Sequence, residues 1–215
     1  MEEKRESLAD LLGGRRGALD ATLPPVAFVA GWLAGGRSIA VGVTAALVVG
    51  VLLAVFRLRR GDRPGAVLAG LLGVVVAAMI AMYTGDGRDF FLPRLLSNAA
   101  SALVWAISIV VRWPLLGVVV GAVLGQKTRW RRDPALLRAY GLASWVWVLQ
   151  YVIRLAVFVP LYLADQTVAL GIAQVVLTWP LVAACLAASW WVIVRALPEE
   201  HPGLRHPQDR TVSKP

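Results

Sequence analysis

The sequence has very few of the side chains on which catalytic and metal sites usually depend. Its 215 residues include one cysteine, Cys185, and two histidines, His201 and His206. One thiol excludes an internal disulfide and a zinc site built from four cysteines. The sequence also lacks paired histidines on a helix, a phosphate-binding glycine loop with lysine, and a nucleophile elbow. We therefore predict that the protein is not an enzyme, with no cofactor and no metal site.

Charged residues are also scarce, at 16% of the chain against about 25% in soluble domains, whereas 58% of residues are hydrophobic. The hydrophobic residues occur in blocks, and segments 39–56 and 66–83 carry no charge at all. Each has about the length of a bilayer-spanning helix and lacks the recurring polar face of a soluble one. We predict an all-α integral membrane bundle. No signal peptide precedes it, so we expect the first apolar segment to remain in the mature protein.

The apolar sequence divides into six segments, and together they predict a transmembrane domain over 23–197. A cytoplasmic lead, 1–22, precedes this domain and is either a short interfacial helix or flexible. A tail rich in proline and charge, 198–215, follows it and is predicted to be disordered. The first segment is short for a span, so it is either a half-span or is extended by Leu19–Thr22. The six segments are 23–36, 39–56, 66–83, 95–125, 139–163 and 168–194.

The fourth segment, 95–125, is broken at Arg112-Trp113-Pro114, because a proline kinks or ends a helix. It forms either one kinked crossing or two crossings. With one crossing, 17 of the 22 lysines and arginines lie on one side of the membrane and three on the other. The positive-inside rule favours this arrangement and predicts that both termini are in the cytoplasm. Orientation and anionic lipids then explain the net charge of +9, and we predict no nucleic-acid partner.

Arg154 is the polar residue that most requires explanation, since an arginine near the bilayer centre costs roughly 2.5–3.5 kcal/mol on insertion scales. Gln150 lies four residues before it and faces the same way on a helix. Gln174, in the last segment, is the nearest polar candidate elsewhere. Two interpretations stay open. Arg154 holds an anionic headgroup or substrate, or it forms a polar clamp between helices that carbonyls, Asp165 or an outer-loop acid satisfy.

The loop after the third segment contains Asp86 between two glycines, which is the pattern of an ordinary tight turn. Asp86 could instead bind a cation or pair with Arg88 or Arg154. Small residues elsewhere recur every four positions, a spacing that lets helices approach closely. We therefore predict a compact bundle that contacts membrane lipids and either other membrane proteins or a second copy of the chain. The small residues are Gly42, Ala46 and Gly50 in one segment and Gly117, Gly121 and Gly125 in another.

Two families resemble this sequence. The run Leu12–Asp20, continuing to Leu23-Pro24 and Phe28, resembles the start of an actinobacterial membrane protein family known only as a domain of unknown function, and this likeness extends to about Leu197.

The second resemblance is to the intracellular septation protein A family of bacterial inner-membrane proteins. It implies a role in the cell envelope or in division, and it adds Asn98 to the candidate site residues. This sequence departs from it at Leu92-Pro93-Arg94-Leu95, where that family has a Lys-Pro-Thr-like motif. The residues that carry the second likeness are Thr84, Asp86, Phe90, Pro93 and Asn98, the Arg112-Trp113-Pro114-Leu115 break, and Trp130-Arg131-Arg132.

Two functional hypotheses follow. The first is a non-enzymatic inner-membrane accessory of envelope assembly or division, which contacts other membrane proteins through small-residue faces and basic loops. The alternative is a small-solute transporter or substrate-capture subunit, in which Arg154 holds an anionic group beside Gln150 and Gln174. Six helices in about 200 residues also resemble the substrate-binding components of vitamin-uptake systems.

Overall fold

The computed structural model describes residues 14–126, 128–198 and 201–204, and the regular secondary structure of this part of the chain is all helical, with no β-strand. Five helices are long and apolar enough to cross a membrane, and a sixth apolar stretch, Thr22–Ala34, is shorter. The predicted all-α, multi-pass membrane bundle is therefore confirmed. The α-helices are α1 Gly14–Ala34, α2 Ile39–Arg59, α3 Pro64–Thr84, α4 Leu92–Val110, α5 Leu115–Val123, α6 Pro134–Leu163 and α7 Thr167–Ala196, and 3₁₀ turns occupy Gly87–Phe91 and Arg129–Arg131.

Helix α1 resolves the alternative that the sequence left open for the first apolar segment. It has 21 residues and continues without a break through Leu19–Thr22. The first segment is therefore extended at its N-terminal side. Lead residues 1–13 lie outside the described part of the chain.

The turns between the first helices follow local rules. Arg37 adopts a positive φ of 69° between α1 and α2. The loop after α2 is held by Arg57, whose Nε lies 2.7 Å from the Asp62 carboxylate. Helix α3 begins at Pro64, where the missing N–H loses no hydrogen bond because the first N–H groups of a helix have no partner within it. Gly85 caps its C-terminal end with φ 73°. Because both of these connections are short, α1, α2 and α3 run alternately up and down.

The predicted break at Arg112-Trp113-Pro114 is confirmed, since α4 ends at Val110 and α5 begins at Leu115. Arg112 adopts a positive φ of 55° at the break. The Ser108 hydroxyl accepts a hydrogen bond from the Leu115 N–H at 3.3 Å, so the polar backbone at the break has a partner. With nine residues, about 14 Å, α5 is too short to cross the bilayer, which agrees with one crossing for this segment.

The described chain divides into two compact units by its internal contacts. The predicted domain bounds, 1–22, 23–197 and 198–215, stay a prediction. The first unit comprises the described residues up to Ser97 together with Ala156–Trp179. The second comprises Asn98–Leu155 together with the described residues from Pro180 onward. The long helices α6 and α7 each contribute one part to each unit, and each contains an internal proline, Pro160 or Pro180.

The first unit has an aromatic core on small-residue helix contacts. Phe28 stacks on Phe90 with ring centroids 4.1 Å apart, and Phe91 meets both edge-on. A side chain at Gly42 would lie 3.0 Å from the Phe28 carbonyl oxygen, so only glycine lets α1 approach α2 this closely. Ala46 and Gly50 are buried on the same face of α2. The predicted packing role of the Gly42, Ala46 and Gly50 face is confirmed.

The second unit has a core of large aromatic rings. Trp105 stacks on Trp147 at 5.2 Å, and Trp130 meets Tyr140 edge-on at 5.7 Å. Leu204, beyond the last helix, packs against this cluster. In residues 201–204 the structure therefore differs from the disorder predicted after residue 198. The rest of that tail, 199–200 and 205–215, lies outside the described residues.

Hydrogen bonds hold segment 201–204 in addition to its apolar contact. His201 Nε2 lies 2.8 Å from the Asp133 carboxylate, and both side chains are almost fully buried. The Gly203 N–H donates to His201 Nδ1 at 3.0 Å, so Nε2 carries the ring proton toward Asp133. The Gln126 amide donates to the Leu204 carbonyl at 2.6 Å. Contacts between residues far apart in the sequence thus fix this segment on the second unit.

Candidate functional site

A stripe of polar side chains runs along α6 within the second unit. Tyr140 and Ser144 are completely buried, and Gln150 and Arg154 are only 2% and 6% exposed. At 100° per residue all four lie within about a third of the helix circumference, over about 21 Å of its length. We call these four residues the polar stripe. Gln150 lies near the middle of the 30-residue helix, so the stripe passes through the depth of the hydrocarbon core.

Three members of the polar stripe have polar atoms without a hydrogen-bond partner among the described residues. These atoms are the Tyr140 hydroxyl, the Ser144 hydroxyl and the Gln150 Oε1. A buried polar atom without a partner costs about 1–3 kcal/mol, and most such atoms in proteins bind protein, ordered water or a ligand. These three atoms on one helix face are therefore candidates for contact with water or with a ligand.

Arg154 supplies the positive charge of the stripe. Its guanidinium carbon lies 5.9 Å from the centre of the Tyr151 ring, and it makes further interactions within the protein. Two turns earlier, the Trp147 indole N–H donates to the Ser189 hydroxyl at 3.1 Å, which ties α6 to α7 in this unit. This hydrogen bond therefore fixes α6 against α7 beside the stripe. The Gln150 Oε1 remains a hydrogen-bond acceptor within the buried interior.

The predicted site residues are divided between the two units. Asn98 is 3% exposed at the start of the second unit, and its Nδ2 has no hydrogen-bond partner among the described residues. Asn98, Gln150 and Arg154 thus belong to one unit. Gln174, which the sequence grouped with Arg154, is also buried but belongs to the first unit. Of the three predicted clamp residues, two share a helix and the third is part of a different core.

Asp86 belongs to a compact network at one end of the first unit, formed by Asp86, Arg88, Asp89 and Tyr162; we call it the loop-end network. Asp86 accepts from the Arg88 backbone N–H at 3.0 Å and pairs with the Arg88 side chain at 2.9 Å. Arg88 also donates to the Tyr162 carbonyl at 3.2 Å. The Tyr162 hydroxyl donates to Asp89. The predicted turn and the predicted pairing with Arg88 are both present, and the carboxylates serve as partners inside the protein.

The glycines predicted as a helix-packing face, Gly117, Gly121 and Gly125, have different surroundings. A side chain at Gly117 would lie 2.7–2.9 Å from the Trp130 ring, so this glycine accommodates an indole of the same chain. Gly121 is buried on the same helix. Gly125 lies two residues beyond α5, where it adopts φ 66°, and a Cβ added there would have no described atom within 4 Å. The face is therefore internal and ends one turn earlier than predicted.

Sequence reasoning missed two members of the stripe. Ser144 and Tyr140 lie ten and fourteen residues before Arg154, on the helix face that it shares with Gln150. That spacing was visible in the sequence, but one hydroxyl among apolar neighbours carries little weight by itself. Among the described residues, no group of three His, Cys, Asp or Glu side chains is arranged to hold a metal ion.

Comparison with known proteins identifies a family and no characterised relative. The profile of the family described as "Protein of unknown function (DUF3159)" matches residues 12–200. No curated protein and no solved structure matches the chain. The match covers most of the chain, including every described helix. The chain therefore belongs to the family described as "Protein of unknown function (DUF3159)".

Proposed function

We propose that the protein is a non-enzymatic membrane protein that captures a small anionic solute within the bilayer, at the polar stripe of α6. The observation that carries the proposal is the Gln150 side chain. It is only 2% exposed, and one turn from Arg154 its Oε1 has no hydrogen-bond partner among the described residues. A positive charge and a hydrogen-bond acceptor side by side in an apolar interior form a site for an anion that also carries a donor group.

Each stripe residue has a distinct role in this proposal. Arg154 binds the anionic group, for which the planar guanidinium is suited. Gln150 accepts a hydrogen bond from a hydroxyl or amine of the same solute. Ser144 and Tyr140 extend polar contacts toward the N-terminal end of α6. Because the stripe is buried, entry of the solute requires the helices of the second unit to move apart.

The surface at the N-terminal end of α6 supports an anionic solute. Arg129, Arg131, Arg132 and Arg138 lie in and beside the connection before this helix, and all four are exposed. A concentration of positive charge raises the local concentration of anions and their rate of association. Asp133, the acid in the same stretch, is buried and bonded to His201. The positive charge of this surface is therefore little reduced by its own acid.

Charged thiol reagents test the proposal. In a Cys185→Ala background, Gln150→Cys is exposed to a methanethiosulfonate that carries a sulfonate and, separately, to one that carries a trimethylammonium group. We expect the anionic reagent to react faster by about tenfold or more, since unit charges about 6 Å apart at an effective dielectric of about 20 interact by roughly 3 kcal/mol. Adding Arg154→Gln should remove this preference. Reaction is measured by intact-protein mass.

Leu149→Cys is the matched control, because Leu149 lies on the same helix and is 58% exposed on the apolar surface of the protein. Its thiol should react with neither reagent, since a thiol surrounded by lipid does not ionise readily. If Gln150→Cys is as unreactive as Leu149→Cys, the stripe is dry and the capture proposal is wrong. Equal reaction rates of the Gln150→Cys thiol with both reagents would instead mean that the site does not prefer an anionic solute.

We further propose that this protein lies in a bacterial cytoplasmic membrane with the basic connections before α3 and α6 in the cytoplasm. The support is the positive-inside distribution of lysine and arginine. A cysteine in place of exposed Arg129 should resist an impermeant thiol reagent in intact cells and react after lysis. Labelling in intact cells would reverse the proposed orientation.

An accessory role in envelope assembly or division is a second proposal. The glycine face expected to contact a partner accommodates Trp130 instead, so the remaining support is the exposed basic surface before α6. An acidic segment of another membrane protein fits such a surface. Replacing Arg129, Arg131 and Arg132 by glutamate should then abolish co-purification of that partner. Unchanged recovery would exclude this surface as the contact.

A further inference from the structure

A groove lies in the first unit, and what we infer from it does not depend on the function proposed for the polar stripe. Its volume is about 360 Å³, and it is open along one side. Residues of α1, α3, α4 and α7 line it. This volume is within the range of pockets that bind small molecules, about 300–1,000 Å³.

Two glycines of α3 create the groove. At Gly70 and at Gly73 an added Cβ would have no described atom within 4 Å, so the missing side chains leave open space. Pro24 forms part of the opposite wall. Gly70 lies 14 residues before the end of α3, which places it about 21 Å from the loop end of the unit. The apolar part of the groove therefore extends from that end past the middle of a bilayer whose hydrocarbon core is about 30 Å thick.

The polar part of the groove lies at its loop end. Arg94 is the third residue of α4, and its side chain lines the groove together with Ser97. Gln174, which is 6% exposed, contributes a buried amide to the same lining. Among the described residues, no acidic side chain lines the groove.

We infer that this groove binds one anionic phospholipid, with its phosphate on Arg94 and one acyl chain along the wall formed by Gly70 and Gly73. The charge of Arg94 complements the headgroup. The position of Arg94, at the end of a membrane-spanning helix, corresponds to headgroup depth. Arg94, Gly70 and Gly73 line the same groove, so one bound lipid contacts both the polar and the apolar part.

The test uses the full-length chain in nanodiscs of equal parts phosphatidylcholine and phosphatidylglycerol, followed by native mass spectrometry of the lipids that remain bound. Wild type should retain phosphatidylglycerol in preference to phosphatidylcholine. Arg94→Gln should reduce this preference about fivefold, the effect expected from one basic side chain near an anionic lipid. Gly73→Leu, which fills the groove, should reduce the retention of both lipids.

Two control variants make the same chemical changes at positions outside the groove. Arg129→Gln removes an exposed arginine of the second unit. Gly65→Leu adds the same side chain to α3 outside the groove, at a position with open space. Both should retain lipid as wild type does. If Gly73→Leu does not fold, Gly70→Val takes its place.

Three results would overturn the inference. One is an unchanged phosphatidylglycerol preference in Arg94→Gln. Another is unchanged lipid retention in the variants that fill the groove. The third is a dimer that Gly73→Leu abolishes and that lipid composition does not affect, since the occupant would then be a second copy of the chain. None of these results bears on the thiol labelling of Gln150→Cys, so the two proposals fail separately.

Discussion

The loop-end network of the first unit and the polar stripe of the second contain similar side chains. They differ in whether the polar atoms of these side chains have hydrogen-bond partners. In the network, the Arg88 side chain is 31% exposed and pairs with Asp86, and the Tyr162 hydroxyl donates to Asp89. In the stripe, Arg154 is 6% exposed, and the Tyr140 hydroxyl has no hydrogen-bond partner among the described residues. The two tyrosines lie on the same helix, α6.

This difference shows where a membrane protein uses polar groups to stabilise its structure. Near the helix ends, loops supply acids and free backbone groups, so each charge finds a partner within the chain. In the middle of a helix the backbone is already bonded to itself, and a polar side chain depends on another side chain, on water or on a ligand. Polar atoms without partners at that depth are therefore more informative about function than the charged pairs at the ends.

The largest effect is expected from Gly117→Leu, which tests whether the second unit is loosely packed. The added side chain would overlap the Trp130 ring, which lies 2.7–2.9 Å from a Cβ at this position. We expect a loss of about 3 kcal/mol or more in the free energy of unfolding in mixed micelles. Gly73→Leu on α3, where space is open, is the control and should cost less than about 1 kcal/mol. A tolerated Gly117→Leu would mean that loose packing accounts for the polar atoms of the stripe that lack partners.

Tyr162→Phe should cost about 2 kcal/mol, because it removes a hydrogen bond to a buried carboxylate and leaves Asp89 short of a donor. The measurement is again the free energy of unfolding, followed by tryptophan fluorescence. The double variant with Asp89→Asn should cost little more than Tyr162→Phe alone, since the two residues share one interaction. Fully additive losses would show that the hydroxyl and the carboxylate are not coupled.

His201→Ala should cost about 1 kcal/mol, since Asp133 loses one partner and retains the N–H donors of Ala135 and Leu136. Segment 201–204 should also detach, which limited proteolysis after α7 would detect as faster cleavage. Pro202→Ala, at an exposed position, is the control. Equal cleavage of His201→Ala and wild type would mean that the histidine does not hold this segment.

The smallest effect is expected from Tyr140→Phe, the counterpart of Tyr162→Phe in the stripe. Its hydroxyl has no partner among the described residues, so its removal should change the free energy of unfolding by less than about 0.5 kcal/mol or raise stability. A loss equal to that of Tyr162→Phe would remove the distinction between the two regions. It would also show that the Tyr140 hydroxyl has a structural partner.

The sequence predicted the features that depend on neighbouring residues. The apolar runs indicated the spans, Pro114 indicated the break after α4, and the isolated charge of Arg154 marked the stripe. A four-residue spacing also identified Gln150 as its neighbour. These are consequences of helix periodicity and of proline chemistry, which act over a few residues.

Features that depend on distant residues escaped prediction. Trp130 occupies the space beside Gly117 from a connection outside the helix, and the spacing of glycines cannot show which side chain will lie against them. Asp133 and His201 meet across 68 residues.

The most direct test of the central claim, that the polar stripe holds an anionic solute, is native mass spectrometry of the gently solubilised wild type and Arg154→Ala. Arg195→Ala, which removes an exposed arginine at the end of α7, is the control. We expect a small anionic species bound to wild type and to Arg195→Ala and lost from Arg154→Ala, with all three proteins folded. The same bound species in all three, or a folded wild type without one, would contradict it and make Arg154 a structural residue.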